Sequence, residues 1–192
     1  MKTSEIQLPK VIGISGSARS GKDTLCLLMQ KVFEKHEGKD LMRAGFADAV
    51  KGDLHGLLVK KAGISAYTET DSEKKLIRPL MVAYGTQLMR KMDPMHWVKR
   101  MEPSLDLAKT INATLCITDV RYKNEIEWIK EKEGITIYVD LKGNSPANAE
   151  EKRNDKMLRE KSDLIFSWEK VGKDKILKLK PSVLKLMKQI SC

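Results

Sequence analysis

The sequence is poor in cysteine and aromatic residues, and it lacks long apolar runs. Its three cysteines among 192 residues are spaced too widely for a zinc site or a disulfide framework, so we expect free thiols. No apolar run approaches the roughly 20 residues that cross a bilayer, and residues 1–10 are too polar for a signal-peptide core. We therefore expect a soluble, cytoplasmic protein with no membrane partner.

Acidic residues are also in deficit. The chain has 36 Lys and Arg against 26 Asp and Glu, which gives a formal net charge of +10. This excess favours anionic partners in general. Basic runs interleaved with aromatic residues, which are typical of nucleic-acid binding, are missing, so we expect no nucleic-acid partner. Many lysines lie in the terminal segment, whose apolar residues indicate an amphipathic helix, and we interpret these lysines as its solvated face.

Short apolar runs alternate with longer helical patterns, which is typical of an α/β protein. The predicted strands are 11–15, 41–46, 114–118, 135–141 and 164–168, and the main predicted helices are 22–36, 47–61, 73–92, 94–109 and 123–133. Strands joined by helical crossovers predict a three-layer fold, with a five-stranded, mostly parallel sheet and helices on both faces. A chain of this length can bury one sizeable core, so we expect residues 1–192 to form a single domain.

The first predicted strand leads into a glycine-rich turn that precedes a helix. The residues expected to bind the nucleotide there are Gly16, Ser17, Ala18, Arg19, Ser20, Gly21, Lys22, Asp23 and Thr24. Glycines allow successive backbone N–H groups to surround phosphate oxygens, and the helix N-terminus adds a favourable dipole. Lys22 supplies a positive charge to the terminal phosphates. The spacing therefore predicts an ATP-binding P-loop rather than an ordinary glycine-rich turn.

The position after the lysine departs from the usual loop, which has serine or threonine there as a magnesium ligand. Asp23 follows Lys22, and Thr24 comes one position later. Either Thr24 binds the metal or Asp23 acts through a bound water. We expect Mg²⁺ in both cases, because the charge of a nucleoside triphosphate must be neutralised during phosphoryl transfer.

A second polar cluster follows the predicted strand 114–118. Asp119 stands at the carboxyl end of this strand, where a side chain can reach magnesium or its waters. The alternative is that Asp119 caps the next helix. Arg121 can donate two hydrogen bonds to one phosphate. We assign catalytic roles to Lys22, Arg19, Arg121 and Asp119.

About 65 residues separate the second and third predicted strands, far more than a crossover helix needs, and long insertions of this kind are often functional. We expect this helical insertion, about 47–110, to bind the phosphoryl acceptor. Its candidate substrate-binding residues are Asp48, Lys51, Arg78, Gln87, Arg90, Asp93 and Trp97.

Two of these assignments have structural alternatives. Asp48 is either a helix N-cap or a ligand group. Arg90, Asp93 and Trp97 share one helical face if the chain stays helical past Pro94, and they would then offer a phosphate clamp beside a stacking surface. The alternative is an Arg–Asp surface pair and a core tryptophan.

Four motifs occur in a recognisable order. They are residues 16–24, Phe-Ala-Asp at 46–48 with Lys51, Tyr-Gly-Thr-Gln at 84–87 with Arg90 and Trp97, and Asp-Val-Arg at 119–121 with Asn124 and Glu125. Together they resemble the deoxynucleoside monophosphate kinases of bacteriophages, a branch of the nucleoside monophosphate kinase group. The resemblance implies ATP on the loop, the monophosphate in a cleft formed by the helical insertion, and a location in the host cytoplasm.

The resemblance is weaker beyond residue 135. It implies a closing lid, which would fall at about 142–160, with Arg153 and Arg159 reaching the phosphates after closure. The same segment could be an ordinary surface loop. Related kinases tend to have an asparagine near a glycine against the adenine, whereas Trp168 and Val171 occupy that region here.

The expected reaction is transfer of a phosphoryl group from ATP to a deoxynucleoside monophosphate, which yields the diphosphate and ADP. The alternatives are a related small-molecule kinase acting on dephospho-coenzyme A or phosphomevalonate, a nucleic-acid-binding ATPase, and a non-catalytic nucleotide sensor. The expected partners are small nucleotides, and a homodimer is compatible with the sequence.

Overall fold

The computed structural model describes residues 7–33, 40–144 and 149–191, and its sheet has five strands. They are β1 (Val11–Ser15), β2 (Asp40–Ala44), β3 (Ala113–Ile117), β4 (Ile135–Leu141) and β5 (Leu164–Trp168). The strand order is β2-β3-β1-β4-β5, and every neighbouring pair is parallel. The predicted parallel sheet is confirmed.

Helices connect and cover these strands. They are α1 (Lys22–Phe33), α2 (Phe46–Ala62), α3 (Asp71–Val82), α4 (Arg90–Met92), α5 (His96–Lys99), α6 (Glu102–Thr110), α7 (Lys123–Glu131), α8 (Ala149–Lys161) and α9 (Lys180–Gln189). A π-helical segment, Ala83–Met89, joins α3 to α4, and a 3-10 segment, Lys173–Leu179, precedes α9. No helix in the described ranges is both long and apolar enough to cross a membrane.

The central strand β1 is buried along its whole length, which explains why its sequence is a continuous apolar run. Ile12 and Ile14 belong to a core cluster that includes side chains of α1 and α9. Gly13 faces the other side of the sheet, where a Cβ atom would stand 2.4 Å from Ile129 Cδ1 of α7. Helices therefore pack against both faces of the sheet.

The chain forms two compact units. The sheet unit comprises the residues up to Ala44 and from Pro103 onwards, and the helical unit comprises Gly45–Glu102. The helical unit has its own apolar cluster, formed by Leu54, Leu58, Ala66 and Ile77. The interpretation of residues 1–192 as a single domain stays a prediction.

Helix continuity in the helical unit differs from the prediction. The predicted helix 73–92 contains the π-helical segment Ala83–Met89, and the chain leaves the helix at Asp93, whose φ of −142° is extended. The predicted helix 94–109 begins only at His96, because Pro94 and Met95 form a turn, and a second turn at Arg100 and Met101 divides it into α5 and α6. The second strand also ends earlier than predicted, since Phe46 is the first residue of α2.

The terminal segment has the predicted amphipathic character, but only its second half is α-helical. Val183, Leu186, Met187 and Ile190 are buried in or just after α9. The described lysines Lys175, Lys178, Lys185 and Lys188 are exposed, so they form a solvated face.

Candidate active site

The turn between β1 and α1 requires glycine at both ends. Gly16 has a φ of +135° and Gly21 has a φ of +92°, which are backbone conformations that residues other than glycine rarely adopt. A Cβ atom at Gly16 would also stand 2.5 Å from the carbonyl oxygen of Val139. Arg19, at the middle of the turn, adopts a left-handed conformation with a φ of +61°. The backbone is therefore held in a compact loop of the kind that binds phosphate.

The ammonium group of Lys22 folds back over this loop. Its Nζ donates hydrogen bonds to the carbonyl oxygens of Gly16, at 2.7 Å, and Ser17, at 2.8 Å. Lys22 is also the first residue of α1, so its charge and the positive end of the helix dipole lie together. This arrangement suits an anion with several phosphate oxygens.

One loop residue carries a buried polar atom without a partner. Ser20 Oγ has no hydrogen-bond partner within the described ranges, although Ser20 is fully buried. Buried polar groups in folded proteins are nearly always hydrogen-bonded. We therefore expect the Ser20 hydroxyl to form its hydrogen bond with a ligand or a water molecule bound at the loop.

Two side chains from distant segments hold the loop from outside. Asn144, which follows β4, donates from Nδ2 to the Ala18 carbonyl oxygen at 2.8 Å and lies 3.3 Å from Ser17 Oγ. Trp168, the last residue of β5, donates from Nε1 to the Ser20 carbonyl oxygen at 2.9 Å. The loop conformation thus depends on β4 and β5 as well as on its own sequence.

Asp23 and Thr24 have different surroundings. Asp23 Oδ1 accepts a hydrogen bond from Thr118 Oγ1 at 2.7 Å and one from Arg43 Nε at 3.2 Å. Its second oxygen, Oδ2, has no hydrogen bond within the described ranges. Thr24 instead lines a shallow pocket beside Trp168. Asp23 therefore lies next to the end of β3, whereas Thr24 is part of the lining of that pocket.

Asp119 and Arg121 follow β3 at the carboxyl edge of the sheet. Asp119 is half-buried and Arg121 is exposed. The backbone N–H of Val120 donates to the Ile14 carbonyl oxygen at 3.2 Å, so this segment runs beside the end of β1, from which the loop leaves. Ligands in open α/β folds bind at this edge, where the strand order reverses.

The start of α7 is capped by Glu125 and not by Asp119. Glu125 Oε2 accepts hydrogen bonds from the backbone N–H groups of Arg121, at 2.7 Å, and Tyr122, at 3.1 Å. Tyr122 is the N-cap residue of α7. The helix-cap alternative for Asp119 is therefore wrong, and Asp119 lies three residues before the N-cap, at the carboxyl edge of the sheet.

A pocket of about 110 Å³ adjoins the far side of the loop. Its walls include Gly21, Thr24, Trp168, Val171, Ile176 and Leu179. Ser167 points away from this pocket, since its exposed hydroxyl lies 3.5 Å from Asp140 Oδ2. Trp168 and Val171, the two residues that depart from the family pattern, thus both line this pocket.

The candidate acceptor residues lie mainly in the helical unit. Asp48 is inside α2, whose N-cap is Gly45, so the N-cap interpretation of Asp48 is wrong. Its carboxylate forms an ion pair with Lys51 at 3.4 Å. Arg78 and Gln87 are exposed on α3 and the π-helical segment, and Arg90 is half-buried.

Trp97 is a core residue. It is 2% exposed, and its Nε1 donates to the Gly85 carbonyl oxygen at 2.8 Å. Its ring packs edge-on against His96 and Tyr84. Trp97 therefore offers no exposed face on which a base could stack, and the core-tryptophan alternative is the one observed.

The predicted grouping of Arg90, Asp93 and Trp97 on one helical face is wrong as well, because the helix ends before Asp93. Asp93 accepts hydrogen bonds from Lys99 Nζ at 2.8 Å and from the Met95 N–H at 2.9 Å. The hydrogen bond from Lys99 has the larger effect and the bond from Met95 the smaller, and both lower the pKa of Asp93 below its ordinary value. Asp93 thus stabilises the turn before α5.

The proposed lid, about 142–160, lies only partly within the described ranges, because residues 145–148 fall outside them. Arg153 is exposed on α8. Arg159 Nη1 donates to Asp140 Oδ2 at 2.8 Å, and its guanidinium lies over the Tyr138 ring. Arg159 is therefore engaged with β4 in this structure, and the lid stays a prediction.

Comparisons with known proteins give a consistent result. The model of the deoxynucleotide monophosphate kinase family matches residues 42–166, more than half of the chain. Dephospho-CoA kinase from Campylobacter jejuni is similar in structure, with 8% identity and a TM-score of 0.51 over 95% of this chain and 98% of that one.

A second solved structure with a similar outline is the APS kinase CysC from Mycobacterium tuberculosis in complex with AMPPNP and APS. It is 13% identical, with a TM-score of 0.46 over 95% of this chain and 99% of that one. No curated protein matches the sequence. At 8% identity the likeness to dephospho-CoA kinase shows the fold alone, and the family follows from the matched model. The chain is a phosphotransferase that belongs to the deoxynucleotide monophosphate kinase family.

Proposed function

We propose that the protein transfers the γ-phosphoryl group of ATP to a deoxynucleoside monophosphate, which yields the deoxynucleoside diphosphate and ADP. The observation that carries this proposal is the Lys22 ammonium group, held within 2.8 Å of two loop carbonyl oxygens at the N-terminus of α1. Family membership supports a nucleotide acceptor.

The loop and its neighbouring pocket suit the donor. Backbone N–H groups of the loop and Lys22 would hold the β- and γ-phosphates of ATP, and the Ser20 hydroxyl has hydrogen-bonding capacity to spare. The apolar pocket that contains Trp168 and Val171 lies beside the loop and suits the adenine ring.

Magnesium fits the residues near the end of β3. Mg²⁺ uses one or two carboxylates and completes its coordination with phosphate oxygens and waters. The described residues contain no group of three or more metal-binding side chains, which agrees with a metal that depends on the nucleotide. Asp23 and Asp119 are the carboxylates that would hold it, and Asp23 fits better than Thr24 because Thr24 lines the pocket. When bound, Mg²⁺ would neutralise the phosphate charge.

The arginines give the acceptor phosphate its charge partners. Arg19 lies in the loop and Arg121 follows β3, and both are exposed. We assign Arg19, Arg90 and Arg121 to orient the acceptor phosphate for in-line attack, since positioning and charge neutralisation are the main demands of phosphoryl transfer. Asp48, Lys51, Arg78, Gln87 and Arg153 remain proposed acceptor contacts.

The test is a panel of acceptors with labelled ATP. It includes all deoxy- and ribonucleoside monophosphates, dephospho-coenzyme A and phosphomevalonate. Lys22→Ala should lower turnover roughly a hundredfold or more with the fold intact. Lys10→Ala is the matched control, because Lys10 pairs with Glu133 on the surface and should leave turnover unchanged. Transfer to dephospho-coenzyme A alone, or hydrolysis stimulated by DNA without transfer, would contradict the proposal.

A further inference from the structure

Trp168 connects β5 to the P-loop through a buried hydrogen bond. Its side chain is 7% exposed, and Nε1 donates to the Ser20 carbonyl oxygen at 2.9 Å. The Trp168 carbonyl oxygen accepts a hydrogen bond from the Lys142 N–H at 3.0 Å, which holds the backbone of the tryptophan in place. The ring packs edge-on against the Phe166 ring, with 5.4 Å between the two ring centroids. The indole is thus a fixed group and not a mobile surface side chain.

The indole ring also occupies the space beside the second loop glycine. A Cβ atom at Gly21 would lie 2.4 Å from Trp168 Cζ2 and 3.2 Å from Cε2. Because Gly21 has a φ of +92°, the backbone turns sharply where it meets the ring. The tryptophan and the glycine therefore fit together, and the ring limits the positions that this part of the loop can adopt.

We propose that Trp168 is a positioning residue for the donor phosphates, which acts by fixing the peptide unit between Ser20 and Gly21. This inference rests on the proposed function. In a trans peptide the carbonyl oxygen and the following N–H point in opposite directions. A Ser20 carbonyl oxygen held by the indole therefore directs the Gly21 N–H away from Trp168, towards the phosphates that the loop surrounds.

The same ring is a wall of the proposed adenine pocket, so a simple loss of ATP affinity would not separate the two roles. Inorganic tripolyphosphate separates them because it has phosphates but no base. A residue that acts through the loop affects tripolyphosphate and ADP equally. A residue that only contacts the base affects ADP alone.

The experiment uses Trp168→Phe and measures the binding of magnesium tripolyphosphate and magnesium ADP by calorimetry. A second variant replaces Trp168 with 3-benzothienylalanine, which keeps the bicyclic shape and loses only the N–H donor. Trp128→Phe is the matched control, because Trp128 is a 3% exposed tryptophan on α7. We expect both Trp168 variants to bind both ligands about fivefold more weakly, the effect of one lost hydrogen bond, and the control to bind as the wild type.

Unchanged tripolyphosphate affinity in the benzothienyl variant would overturn the inference, whether or not ADP binds more weakly. If Trp168→Phe does not fold, the benzothienyl variant decides. The proposed function fails separately. Wild-type protein that binds both ligands but transfers nothing to any deoxynucleoside monophosphate would contradict the proposed reaction and leave the role of Trp168 intact.

Discussion

Replacing Arg43 with glutamine should strengthen magnesium binding to the protein–ADP complex. Arg43 Nε lies 3.2 Å from Asp23 Oδ1, and the proposed metal site uses the same carboxylate. The guanidinium and the metal therefore compete for the negative charge of Asp23. The two side chains are 42% and 73% exposed, so water screens their attraction strongly. An exposed ion pair is worth at most about 1 kcal/mol, which corresponds to roughly fivefold in a dissociation constant.

The ADP dissociation constant is measured over a series of magnesium concentrations. The magnesium midpoint of each variant is the magnesium concentration at which half of the effect on ADP binding is reached. Arg43→Gln should lower this midpoint by up to about fivefold. Asp23→Asn should raise it, and in the double variant the Arg43 exchange should have no further effect. Lys10→Gln breaks an exposed pair at 3.0 Å just before β1, at the end of the strand opposite the P-loop, and should change nothing. An unchanged or higher midpoint in Arg43→Gln would refute the competition.

Three further predictions concern single residues. Gly16→Ala should abolish ADP binding and lower the melting temperature, because its Cβ would stand 2.5 Å from the Val139 carbonyl oxygen; normal calorimetric binding would contradict this. Trp97→Phe should lower the free energy of unfolding by about 1 kcal/mol through the lost indole hydrogen bond, measured by urea denaturation, with the acceptor KM unchanged. Burial raises the pKa of Asp53, but hydrogen bonds from Arg100 and Tyr84 outweigh it, so the pKa lies below 3.8. The stability that the Asp53 carboxylate adds is therefore fully present above about pH 4 and decreases as the pH falls further, so Asp53→Asn should lower the free energy of unfolding more at pH 7 than at pH 3.

The sheet was predictable because its pattern is local. Each central strand is covered on both faces, so it must be apolar at consecutive positions, and a short apolar run is visible without any tertiary information. The same holds for the P-loop. The spacing of Gly16, Gly21 and Lys22 reflects a backbone path that only glycine tolerates at two of these positions.

The wrong predictions concern a segment whose sequence has a continuous helical pattern although its backbone conformation changes. Periodicity predicted one helix through residues 73–92 and a shared face for Arg90 and Trp97. The backbone instead passes through a π-helical segment and leaves the helix at Asp93. A π-helical segment changes the number of residues per turn without changing the apolar composition. The identity of a residue as tryptophan also does not indicate whether its side chain is buried or exposed. Sequence pattern alone cannot separate these cases.

The sequence by itself determined the fold class, the position of the P-loop and the identity of its lysine, because these depend on backbone conformation and consecutive burial. Only the tertiary structure decided what surrounds the loop. Trp168 reaches Ser20 across 148 positions, and Thr118 reaches Asp23 across 95. Such pairs form because parallel strands bring distant segments to one edge of the sheet, and the resulting contacts leave no local pattern in the chain.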